Sequence, residues 1–510
     1  MSEVHEAIVK IVAIAAALLG LWLLQRPAWR NDMSRRNRLL WSLVALGALG
    51  YVNFGGFHTD GTPFHIWDQY HYVIGSKYFP ELGYDGIYVA TLLARREQDP
   101  AYELPTRVRD LRTNRVVPGT SIAALMPEVR ARFSDERWTQ FRADATHYYI
   151  RDEIFIDHGY NPTPAHAAIE RLFTRHLPFR QMTVALYAAL DFLLLAVAGV
   201  VVYRVFGLEI LAAAALILGL GYCSRYYWIG GAFLRQDWLV ALILCAAALA
   251  RSHMRLAGIA LAYAVCCRVF PLFMLLPLVV FAAAQWWHGR QLRDSLQFAL
   301  GFAGGAVALL LIGSSAGRGP GAWLESAQRL LVHTSAVGPN AIGLRVPFST
   351  SLANLRGDLI DPTTLYEYSR IAADFAATGR SHLVLIVLAA VVLLSLTVVV
   401  AWRARDPATA FVAGVAMIYT FTTPSCYYGS FFVLLALVRP IQTAAVFLIA
   451  SALMFVTAGI VFFLSLHGFI RLNGAAVYLP VSTLLLAVLC YWLVSVLRGD
   501  RTTVPASVSL

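Results

Sequence analysis

HLVLIVLAAVVLLSLTVVVAW, residues 382–402, runs for 21 positions without an Asp, Glu, Lys or Arg. A helix of that length rises about 30 Å, the thickness of a bilayer's hydrocarbon core. Arg403 and Arg405 follow at once, the basic margin of a cytoplasmic membrane end. Working outward, comparable apolar runs occupy residues 7–25, 39–55, 182–203, 207–222, 233–250, 256–267, 269–286, 296–313, 408–422, 428–438, 441–463 and 476–497. Apolar residues make up 58% of the 510 positions and the mean hydropathy is +0.62. Soluble chains are far more polar. The sequence therefore predicts an all-α polytopic membrane protein with about 12–13 transmembrane helices.

The net charge of +11 raises a nucleic-acid reading. The placement of the charges argues against it. Lysine occurs only at Lys10 and Lys77, and arginines cap the apolar runs. Arg26, Arg30, Arg35, Arg36 and Arg38 mark the first connection as cytoplasmic. Counting crossings from there puts Arg204, Arg251, Arg290, Arg403, Arg439 and Arg498 all inside, with the N-terminus outside and the C-terminus inside. No basic face or nucleic-acid motif accompanies them.

The first run follows an acidic N-terminus and lacks a small-residue cleavage site, so it reads as a retained span. Residues 256–286 cross once or twice, with Arg268 and Pro271 at the break, and parity prefers two passes. Residues 428–438 are too short to cross unaided and read as part of a broken helix. The six cysteines lie in or beside apolar runs without metal-ligand spacing. They read as packing residues, one outer disulfide between Cys223 and Cys426 being left open. The chain divides into residues 1–55 with two spans, an outer loop at 56–181, spans at 182–313, a second outer loop at 314–381, and C-terminal spans at 382–510. No inverted repeat of apolar segments is visible.

The chemistry concentrates in HTDGTPFHIWDQYHYVIGSKYFPELGYDGIY, residues 58–88. Thr62-Pro63 predicts a helix start and Pro80 its stop. Ile66, Tyr70, Val73 and Ile74 form one apolar face, and Asp68, His71, Tyr72 and Gly75 project elsewhere. Such a helix lies along the membrane surface, with Asp68 toward a polar cleft and room for a ligand at Gly75. Aspartate forms helix poorly, so mid-helix Asp68 points to function. Asp60 stands in an Asp-Gly turn dipeptide and reads first as an exposed turn; it is the second carboxylate candidate. The nearby histidines have no zinc-binding spacing.

Residues 164–177 predict a second interfacial helix with an Ala165, Ala168, Ile169, Leu172, Phe173 stripe. Residues 92–145 read as a solvated surface elaboration. Asp152, Glu153, Asp157 and His158 form another polar cluster, either lining an acceptor side or stabilising a loop.

One outward carboxylate at a lipid interface suits sugar transfer from a polyprenyl phosphate. The phosphate leaves as a stable anion, so only the incoming hydroxyl needs a base. Glycosidases, with alkoxide leaving groups, need a second carboxyl. Arg235 and Arg268 supply cations at membrane depth, where ionisable groups usually serve a site. The alternative is a structural ion pair with Asp237 or Asp191.

DQYHYVIGSKYF followed by YDGIY resembles the first-loop signature of the GT-C glycosyltransferases, particularly the bacterial polyprenol-phosphate-mannose-dependent mannosyltransferases. The resemblance continues through residues 231–279, where a helix runs into a cation and a proline, here Arg268 and Pro271, the cation being often lysine in that family. HTSAVGPNAIGLR (333–345) and TTPSCYYGS (422–430) match loosely, with Tyr427 and Tyr428 where histidine is common. The resemblance implies a GT-C-like bundle in a bacterial inner membrane, with Asp68 as the base and the donor held by Arg235 and Arg268. Tyr72, Lys77, Tyr84, Asn340, Arg345, Tyr427 and Tyr428 are further substrate-binding candidates. The implied partners are a polyprenyl-phosphate donor of a hexose such as mannose, a glycan or glycolipid acceptor, and the bilayer. No organic cofactor is implied and nothing demands a divalent ion. A transporter or flippase would share the spans and buried arginines, though not the long outer loop; a noncatalytic membrane subunit is a third reading.

Overall fold

The computed structural model describes residues 3–58, 60–148, 150–334, 337–338, 340–357, 369–467 and 472–499. The architecture is almost entirely helical. Among the described residues, seven helices are long and apolar enough to cross a membrane. An eighth arises if Leu208–Leu220 and Tyr222–Ile229, bent by 73° at their junction, form one broken span. Four shorter apolar helices, Asp237–Ala250, Met254–Cys267, Pro407–Phe421 and Cys426–Leu437, complete the apolar set. Several of the thirteen apolar runs are thus short buried helices that do not meet the length of a full span. The chain is a multi-pass membrane protein.

The span helices leave apolar faces uncovered by protein. On Leu383–Arg403, Val384, Val387, Leu388 and Val391 are exposed, which places hydrocarbon against lipid at no cost. Residues 256–286 form two helices, separated at Arg268 and at a 3₁₀ turn, Phe270–Met274, containing Pro271. Proline lacks the amide that would continue the ladder. The segment around 428–438 is a twelve-residue 3₁₀ helix, Cys426–Leu437. All six cysteines are free, so no disulfide joins Cys223 to Cys426.

Small residues set the closest helix contact. A Cβ on Gly219 would lie 1.8 Å from the Gly47 carbonyl oxygen, so Met33–Tyr51 and Leu208–Leu220 meet backbone to backbone. Lys10, fully buried in the first helix, donates to the Gly219 carbonyl at 2.6 Å and to that of Gly50. A buried ammonium is costly unless its donors are used. Here it stitches three helices together.

Residues 92–145 contribute to a second core rather than forming a solvated elaboration. Val108, Val129, Phe133, Trp138 and Phe141 are buried with Tyr70, Tyr78 and Tyr88. Trp138, Phe141 and Ala145 lie on one face of Asp135–Ala145 at helical spacing. The many charges around them form the rim. A short antiparallel hairpin pairs Val108 with Val117.

The helix carrying Asp68 starts later than its sequence signal. Thr62 instead donates to Asp60 in an exposed turn, and His65 caps the helix by accepting from the Asp68 amide at 3.1 Å. Pro80 sits in the first turn of a following helix, Phe79–Leu82. Every residue from Tyr70 to Lys77 is buried, so this helix is enclosed by protein and does not lie along a surface. The space beside Gly75 is filled, since an added Cβ would come within 2.5 Å of the Tyr160 ring.

Pro164–Thr174 begins where the sequence indicates, with Thr163 capping the His166 amide. Its polar stripe of His166, Glu170 and Thr174 is buried while Leu172 and Phe173 are exposed. Polar groups inward and apolar groups outward are the arrangement expected of a helix touching lipid.

Candidate functional site

Four segments far apart in sequence converge on one buried cluster. Asp68 and Tyr72, one helical turn apart, project from the enclosed helix. Arg235 comes from the turn before Asp237–Ala250, Arg268 from the end of Met254–Cys267, and Tyr427 and Tyr428 from the start of the 3₁₀ helix. Asp68 Oδ2 lies 2.8 Å from Arg235 Nε, with side-chain exposures of 13% and 8%. The approach falls short of a directed hydrogen bond, so the two groups form a close but loosely aligned ion pair.

The Arg235 turn is held by a separate carboxylate. Asp191, buried on Gln181–Phe206, accepts from the Arg235 amide at 3.0 Å and the Gln236 amide at 3.3 Å. Leu234 takes φ +49°, a left-handed conformation a leucine rarely adopts. Asp191 therefore binds this turn's backbone and leaves the guanidinium to Asp68. Arg235 also donates to the Tyr72 hydroxyl, and its guanidinium stands 4.4 Å from the Tyr72 ring centroid and 5.4 Å from that of Tyr427. Arg268 reaches the same hydroxyl at 3.5 Å and caps the Cys267 carbonyl at 2.9 Å. Tyr428 packs on Phe270 and Trp238.

The remaining sequence candidates lie elsewhere. Lys77 pairs with Asp144 at 2.7 Å and donates to the Leu177 carbonyl, a buried structural bridge. Asp60 is confined to its exposed turn. Tyr84 donates to the Pro162 carbonyl and lines a different cavity. Arg345 stands over the Phe375 ring. The Asn340 carbonyl accepts from the Cys426 amide at 2.9 Å, tying its loop to the Tyr427 segment through the backbone.

The polar cluster at 152–158 is divided by the fold. Asp152 is exposed and pairs with Arg95. Asp157 accepts from Trp67 Nε1 at 2.6 Å and from the His158 amide. Burial opposes its charge, but His71, His158 and the Trp67 donor outweigh it and hold its pKa below the usual carboxylate value. It is a fixed acceptor bracing the helix that carries Asp68.

A second polar chain escaped the sequence reading. Tyr160 donates to Glu170 at 2.6 Å, Glu170 faces His166 Nδ1 at 3.2 Å, and His166 Nε2 meets Asp237 Oδ2 at 2.9 Å. Tyr263 donates to the same oxygen at 2.7 Å. Burial disfavours a charged His166, but Glu170 and Asp237 together raise its pKa to about 9. The Tyr72 ring abuts Tyr160 and His166, which joins this chain to the arginine cluster. His166, Asp237 and Cys267 offer ligand atoms within 4.8 Å of one another, a set of types that suits zinc. Asp237 Oδ2 already accepts from His166, Tyr263 and Cys267, so the arrangement is satisfied by protons. The only advance signal was the i, i+4 spacing of His166 and Glu170.

Comparison of this chain with known protein families, with curated proteins and with solved structures finds no match.

Proposed function

We propose that this protein is a GT-C-type membrane glycosyltransferase that moves a hexose from a polyprenyl-phosphate donor to a glycan or glycolipid hydroxyl on the outer face of a bacterial inner membrane. The observation that carries the reading is a carboxylate, Asp68, paired with Arg235 in a buried cluster that also holds Arg268, Tyr72, Tyr427 and Tyr428. Arginine's planar fork matches a phosphate, and the tyrosine rings offer stacking surfaces for a sugar.

In this mechanism the acceptor hydroxyl attacks the anomeric carbon as its bond to the phosphate oxygen breaks. The electron pair leaves with the phosphate, Asp68 takes the hydroxyl proton, and the anomeric centre inverts. Arg235 acts twice. Without donor it neutralises Asp68, and with donor it turns to the phosphate and frees the carboxylate.

Binding of a polyprenyl-phosphate hexose to the protein in lipid nanodiscs tests this role. Arg235→Gln and Arg268→Gln should each weaken binding roughly tenfold or more, the scale of a charge-assisted contact. Unchanged donor affinity in both variants would overturn the assignment of the arginines.

A further inference from the structure

A cavity of about 270 Å³ opens between the 56–181 core and the helix Gly321–Thr334. Tyr84, Asp85, Arg112, Arg132, Arg318 and Arg329 line it. Three of its four arginines are neutralised. Arg112 and Arg132 share Asp85 and Glu128, while Arg318 grips Glu325 with two contacts at 2.8 and 3.0 Å.

Arg329 is different. It is 7% exposed, and its Nε and Nη2 have no hydrogen-bond partner. Burial lowers its pKa despite the attraction of Asp85 and Asp110. A buried guanidinium with idle donors destabilises a fold, and Arg329 is part of the cavity wall.

We infer that this cavity is a second ligand site, which binds a sugar-sized group carrying a carboxylate or phosphate, with the oxyanion on Arg329 and the sugar near Tyr84. The volume suits one monosaccharide. Tyr84 stacks on Tyr160 at 6.4 Å, and Tyr160 meets Tyr72 at 6.0 Å, so two ring contacts separate the cavity from Asp68's neighbour. Assigning the ligand to the acceptor rests on the glycosyltransferase reading; anion binding itself does not.

Calorimetry on the full chain in nanodiscs, with no lipid donor present, tests the site. The probes are methyl glucuronide, glucose 1-phosphate and the neutral methyl glucoside. The native protein should bind at least one anion roughly tenfold tighter than the glucoside, and Arg329→Gln should abolish that preference. Which anion binds separates a uronate from a phosphate source. Because Arg329 Nε and Nη2 are buried without hydrogen-bond partners, Arg329→Gln should leave the melting temperature unchanged or raise it. No anion preference in the native protein overturns the inference. So does a retained preference in Arg329→Gln, or failure of that variant to fold, which would make Arg329 a structural cation. Failure of this binding leaves the Asp68 mechanism standing, and anion binding without sugar transfer would leave this site standing.

Discussion

Asp68 and Arg235, 167 residues apart in the chain, meet at 2.8 Å inside the protein with little access to solvent. Neither charge is stable there alone. Removing one member of a buried pair typically costs about 3–5 kcal/mol, because the other is left uncompensated. Arg235→Gln should therefore lower stability more than Asp68→Asn with Arg235→Gln together. A double-mutant cycle by thermal unfolding in lipid measures the coupling, and additive losses would mean the pair is not formed.

The buried histidines outside the membrane-spanning helices should make the protein acid-labile. Burial lowers the pKa of His58 and His158 to about 4, and lowers His65 and His71 too. Between about pH 6.5 and 4 the unfolded chain binds protons that the folded chain refuses, so stability falls as pH falls. His158 alone carries up to about 3 kcal/mol of this. Depressed Asp157 adds loss of the same sign at lower pH. Unfolding midpoints measured from pH 7 to 4 should drop steadily, and a flat profile would contradict the buried-neutral assignment.

His166 has the opposite sign. Its folded pKa is raised to about 9, so its contribution is full below pH 6.5 and is lost as pH rises through 9. His166→Gln should remove this alkaline sensitivity while lowering stability at pH 7. Midpoints from pH 7 to 10 on both proteins check it, and an equal alkaline decline in the variant would contradict it.

Gly219→Ala should destabilise by about 1–3 kcal/mol, since its Cβ would press on the Gly47 carbonyl and force two helices apart. Gly199→Ala is the control. Its nearest neighbour, Leu211, would stand at an ordinary 3.7 Å. Equal thermal stability in the two variants would contradict the backbone contact.

Membrane-crossing helices were legible because hydrocarbon length is a one-dimensional signal. The runs at 7–25 and 476–497 correspond to Glu3–Leu24 and Ala475–Arg498 within a few residues. Arginines inside apolar runs are conspicuous for the same reason, and the structure gathers Arg235 and Arg268 around Tyr72. Lys77 shows the limit. Its partner Asp144 lies in a charged segment whose aromatic core the charges concealed. His166 is hidden because the sequence of its helix displays an apolar stripe, while its polar stripe faces inward. The enclosure of Asp68's helix depends on Tyr160 and residues 92–145 packing around it, contacts that no spacing within 62–80 reveals.

The most direct measurement is consumption of radiolabelled polyprenyl-phosphate hexoses by the purified protein in lipid, with a membrane-glycolipid extract as acceptor, for native chain and Asp68→Asn. If Asp68 is the base, the native protein turns the donor over and Asp68→Asn loses about 10²–10⁴-fold, the scale of a general base, with donor binding retained. Equal turnover in the two proteins, or none by the native protein with every hexose donor offered, would contradict it.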